Sequence, residues 1–96
     1  MGGTCFRSSR ETAQKGRLTL EHELNRDELD TVNGLIAHYN QLHPDHKMKL
    51  VTHARNNDHA TVHDWVDRTA KALGYTKMTI RMVAVSKYIV QVLRKR

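Results

Sequence analysis

The sequence predicts an all-α fold, a small domain of about four helices. Three observations carry that expectation. Apolar residues recur at three- and four-residue spacing along successive segments. Asn25, Thr61 and Thr76 are cap-type residues ahead of three of those segments, and Pro44 and Gly74 stand where helices would stop. The last segment is heavy in β-branched residues, yet Met78, Met82, Val85, Ile89 and Val92 still step by four and three. The alternative is an α+β fold in which residues 77–85 and 88–94 form a C-terminal hairpin around Ser86-Lys87. That dipeptide is poor chemistry for a two-residue hairpin loop, which favours Gly or Asn.

Residues 1–16 read as a flexible basic arm and residues 17–96 as one helical domain, in keeping with a chain of 96 residues. Residues 17–24 (RLTLEHEL) alternate around Leu18, Leu20 and Leu24, as a short strand or a lead-in packing on a partner would. The first helix is expected over 25–42. Asn25 with Glu28 three residues on makes a capping box, and Asp27, Glu28 and Asp30 suit the positive end of the helix dipole. Leu29, Val32, Ile36 and Tyr39 share one face, and Pro44 ends the helix. A shorter second helix spans 46–56, with Met48, Val51 and Ala54 inward. Thr61 caps a third, whose stripe is Val62, Trp65, Val66, Thr69, Ala70 and Leu73, with Trp65 as a core anchor. Gly74 suits the left-handed position that ends it, and Thr76 caps a fourth segment.

Charge is divided unevenly along the chain. Residues 68–96 carry eight basic side chains and no acid, whereas residues 11–67 carry ten acids against six bases. An acid-free basic end points to a polyanionic partner. The single cysteine, Cys5, excludes an internal disulfide framework and suits a reducing cytoplasm. No apolar run approaches the ~20 residues of a membrane span, so no membrane partner is expected. The MGGTCFRSSR start lacks the apolar core of a signal peptide. Its Gly2 is followed by Phe6 where a myristoylation motif has Ser or Thr.

The spacing Ala70-x3-Gly74-x5-Ile80-x2-Val83 supplies a small contact residue, a turn glycine and two inward-facing apolar residues. It resembles the helix-turn-helix of bacterial and phage regulators, and AKALGYTKMTIR is similar to the start of mercury-resistance-type and lac-repressor-like regulators. The resemblance covers residues 66–85. It implies a C-terminal helix-turn-helix whose second helix enters the major groove of double-stranded DNA. Thr76 would then meet a phosphate at the helix N-terminus, and Lys77 and Arg81 would reach base edges. An Arg81–guanine pair would contribute ~1–3 kcal/mol of discrimination. Thr79 would lie near the backbone, Arg68 and Lys71 would hold phosphates from the first helix, and Arg94, Lys95 and Arg96 would add attraction that depends on salt. Met78, Met82 and Val85 on the groove side would touch thymine methyls, form a dimer face, or be core in a different fold.

Seven histidines are many for this length. His59 and His63 are four apart, but His59 precedes the expected Thr61 cap and HATVH lacks the glutamate of a zinc-protease helix. His43 and His46 could also meet around a loop. Exposed polar histidine is the reading adopted, with no metal, no cofactor and no catalytic residue assigned. Collectively they would make the protein more basic on mild acidification. The expectation is therefore a small, sequence-specific DNA-binding homodimer, not an enzyme, of the size of a transcriptional regulator or accessory factor of a phage or plasmid. Two rivals stand beside it. One is a protein-binding helical module docking through Met78, Met82, Val85, Ile89 and Val92. The other is an α+β RNA-binding domain built on the C-terminal hairpin.

Overall fold

The computed structural model describes residues 23–96. The expected arm over 1–16, the lead-in over 17–22, Cys5 and His22 lie outside the described residues. Four helices follow in order, α1 (Arg26–Asn40), α2 (Pro44–Arg55), α3 (His59–Leu73) and α4 (Met82–Arg94). The fold is all-α. No strand occurs among the described residues, and the α+β alternative falls with it, because Ser86 and Lys87 sit inside α4. The Ser86 hydroxyl donates to the Met82 carbonyl one turn back, at 2.8 Å, which suits a helix and not a hairpin loop. No helix of the described residues is long and apolar enough to cross a membrane.

The capping box at the start of α1 forms as expected. Asn25 accepts from the Glu28 N–H, and Glu28 accepts from the Asn25 N–H. Pro44 does not end α1, which stops at Asn40. It opens α2 instead, at the first turn, where a missing N–H costs nothing. The cap of α3 is Asp58, not Thr61. The Asp58 carboxylate accepts from both the backbone N–H and the hydroxyl of Thr61. His59 therefore lies inside the helix, one turn before His63. At the other end Gly74 has φ of 94°, and the Gly74 and Tyr75 N–H groups donate to the Lys71 and Ala70 carbonyls, a Schellman stop.

α4 packs against all three other helices. Its Val85, Tyr88, Ile89, Val90 and Leu93 are buried among Val32, Leu35, Val51, Val62, Val66 and Ala70. Val62, Val66 and Ala70, four apart, bring one face of α3 wholly into the core. Leu73 and Trp65, expected on the same stripe, come out exposed and half-buried respectively. α1 and α4 run the same way, since Glu28 meets Arg81 at their starts and Tyr39 meets Arg96 at their ends.

The segment after Gly74 departs from expectation. The last helix begins at Met82, with Arg81 as its cap residue, and Thr76 caps nothing. Two tethers to α1 hold residues 75–81 out of the helix. The Tyr75 ring lies against Gly34, where an added Cβ would come within 2.3 Å of its hydroxyl oxygen. The Arg81 backbone N–H donates to the buried Glu28 carboxylate at 2.7 Å, which holds Arg81 extended. The inward pair Ile80 and Val83 also fails to form, since Ile80 is half-buried and Val83 is 58% exposed.

Candidate nucleic-acid interface

The acidic start of α1 gathers the residues expected to read DNA. Glu28 is fully buried, and its carboxylate accepts from the Asn25 N–H, the Arg81 N–H and the forked Arg81 guanidinium, at 2.7–2.9 Å. The Arg81 hydrogen bonds outweigh the cost of burial and hold the Glu28 pKa down to about 2. The same pair raises the Arg81 pKa. The Arg81 Nη2 that donates to Glu28 also donates to the Glu23 carbonyl, at 2.7 Å. Lys77 lies 3.4 Å from Asp27, and Thr79 donates its hydroxyl to the other Asp27 oxygen. That hydroxyl bond is the main cause of the lowered Asp27 pKa. The Asn25 side chain donates to the Thr79 carbonyl. Thr76 is exposed, with its N–H turned back to the Gly74 carbonyl.

Met78 is fully exposed at the tip of this loop, but the rest of the proposed apolar docking face is not available. Val85 and Ile89 are buried in the core, and Met82 and Val92 are half-buried against it. On α3, Arg68 pairs with Asp64 at 2.7 Å and Lys71 with Asp67 at 3.1 Å, each one turn apart along the helix. These are exposed pairs of the kind that contributes little to stability. Their cations are nonetheless partly neutralised where they stand.

The opposite end of the domain is built differently. Arg94 donates to the Asn57 side-chain oxygen at 3.1 Å. Arg55 donates to the backbone oxygen of Arg96. The Arg96 guanidinium lies 5.6 Å from the centre of the Tyr39 ring and the Lys47 ammonium 5.9 Å from it, within cation–π reach. With Lys95 these make five cations around the end of α4, and none has an Asp or Glu partner among the described residues. Of the acids near them in sequence, Asp45 lies 3.7 Å from His43, and Asp58 is engaged by Thr61, the largest cause of its lowered pKa, and by His53 at 3.0 Å. Part of the cluster has a structural use, because cations favour the negative end of a helix dipole.

Arg94, Lys95 and Arg96 were visible as a charge run in the sequence. Lys47 and Arg55 were not, because nothing local says that α2 returns to the end of α4. Among the described residues no group of three or more His, Cys, Asp or Glu side chains is placed to hold a metal ion.

No family model, curated protein or solved structure matches the chain.

Proposed function

We propose that the chain is a small DNA-binding protein that grips the phosphate backbone with the basic end formed by Lys47, Arg55, Arg94, Lys95 and Arg96. The observation that carries this reading is the convergence of five cations without an Asp or Glu partner among the described residues, in a domain whose cations on α3 and on the 75–81 loop are paired. Arg94 on an amide oxygen, and Arg96 and Lys47 on a ring face, keep donors free for phosphate oxygens. The arrangement favours contacts that do not depend on sequence. Base reading by Lys77, Thr79 and Arg81 would require them to leave Asp27 and Glu28.

The test is a titration of the full chain onto fluorescent duplex and single-stranded oligonucleotides over a range of salt. Each phosphate contact steepens the slope of log K against log salt by ~0.9 on duplex and ~0.7 on a single strand. The Arg94→Gln, Lys95→Gln, Arg96→Gln triple variant is expected to flatten the slope by ~2–3. A salt-independent affinity, or a triple variant that binds as the wild type does, overturns the reading. The same titration counts chains per site, and a homodimer would bind in twos.

A further inference from the structure

Beside the basic end, on the far flank of α2, a cavity of about 300 Å³ opens between α2 and α3. Leu42, Leu50 and Trp65 form its apolar lining, and Lys49, His46 and Arg68 stand among the residues at its edge. Trp65 is the one tryptophan of the chain. It is half-buried, with one part of the indole against the core and another lining this cavity. It also lines a second hollow of about 260 Å³ beside His38, whose ring centre is 6.3 Å from its own. The indole thus forms a ridge between two open hollows.

The polar groups around the ridge lean cationic. Lys49 has no carboxylate partner among the described residues. Asp64, an acid lining the cavity, is bound by Arg68 at 2.7 Å. An aromatic face flanked by unpaired positive charge suits a flat group carrying negative charge. A nucleobase with its phosphate has that chemistry, and bases stack on exposed aromatic rings whatever their identity.

The cavity and the basic end are joined by α2. At 100° per residue Arg55 falls on one flank of α2, and His46, Lys49 and His53 fall on the other, with buried Leu50, Val51 and Ala54 between them. The exposed width of a helix is ~10–12 Å. A strand at ~3.4 Å per nucleotide crosses it in about four nucleotides.

We propose that Trp65 is a stacking platform for an unpaired base of a single strand whose backbone is held by the basic end. This rests on the DNA-binding reading above and narrows it to single-stranded substrate. Bases in an intact duplex are stacked on their neighbours and have no free face to lay on the indole.

The experiment follows two signals on the wild-type chain. Anisotropy of a labelled oligothymidine of ~15 nucleotides reports binding, and the intrinsic emission of Trp65 reports the ridge. The expected result is that saturating single strand quenches Trp65, while duplex of the same length leaves its emission unchanged. Trp65→Ala is expected to weaken single-strand binding about five- to a hundred-fold, and Trp65→Phe to restore most of it. Lys49→Gln, at an exposed position, is expected to flatten the single-strand salt slope by ~0.7.

If the strand binds by anisotropy and Trp65 emission does not respond, the platform is overturned and phosphate binding stands. Equal quenching by duplex overturns the restriction to single strands. If neither form binds by anisotropy, both proposals fall.

Discussion

At the start of α1 and α4, Arg81 closes over a buried glutamate and Lys77 lies beside Asp27. At the other end of the same two helices, Arg94 reaches an amide oxygen and Arg96 lies over a tyrosine ring. The residue types are the same and the helices run in parallel, so the difference is in the partners. A buried carboxylate turns an arginine into a structural clasp. Neutral acceptors leave an arginine in place with its charge unspoken for. The first end should therefore respond to mutation through stability, and the second through binding.

The largest effect is expected from opening the clasp. Glu28→Gln removes the charge that holds the Arg81 fork and the Asn25 and Arg81 N–H groups together. Breaking a buried pair from one side costs about 3–5 kcal/mol when the other charge stays buried. Arg81 is 60% exposed and can turn to water, so a loss of about 2–3 kcal/mol in urea unfolding is the expected outcome. The sign with pH follows. Folding lowers the Glu28 pKa from 4.5 to about 2, so this stability is complete above about pH 4.5 and is lost as pH falls toward 2. The Gln variant should lack that part of the acid transition and should still bind DNA with a wild-type salt slope.

Next comes the reciprocal experiment at the basic end. The Arg94, Lys95 and Arg96 glutamine triple should lower unfolding free energy by only about 1 kcal/mol, from the lost helix-dipole and Tyr39 ring interactions. Its DNA affinity should fall by at least tenfold at moderate salt. If the triple variant unfolds as easily as Glu28→Gln, the two ends are not distinct and the basic end is also structural.

A smaller effect tests the second tether of the loop. Gly34→Ala improves helix propensity by ~1 kcal/mol on a solvated helix. Here the new methyl would overlap the Tyr75 ring, whose nearest carbons would stand at 2.7 Å. Moving that ring should reverse the sign, to a net loss of about 1 kcal/mol. Tyr75→Ala should make Gly34→Ala stabilising again, and urea unfolding of the double variant checks it.

These effects explain what the sequence could and could not disclose. Helix content was legible because capping and periodicity are local. The Asn25–Glu28 box, the Gly74 stop and the Val62, Val66, Ala70 face all follow from residues within a turn or two. The start of α4 was not legible. Thr76 has the right chemistry for a cap, but contacts with Gly34 and Glu28, some forty and fifty residues earlier, hold the chain out of the helix until Arg81. The same long-range pairing hid the fate of Arg81 itself. Charge counted along a chain records how many cations there are and not which of them have met a carboxylate. The run from Arg94 to Arg96 pointed to a basic end, while its companions Lys47 and Arg55 depended on how α2 folds back.

The smallest expected effect is the sharpest check on the division between the ends. Lys77 is 72% exposed and 3.4 Å from Asp27, an exposed pair of the kind that contributes 0–1 kcal/mol. Lys77→Gln should therefore leave unfolding within about 0.5 kcal/mol of wild type. It should also leave the DNA salt slope unchanged, because its charge already faces a carboxylate and lies near the far end of α4. Helices of 13 and 15 residues separate the two ends by about 20 Å at 1.5 Å per residue. That is twice the ~10 Å screening length at moderate salt. A slope lowered by ~0.9 in Lys77→Gln would mean that this lysine leaves Asp27 to meet a phosphate, and the interface would then have to extend to the 75–81 loop.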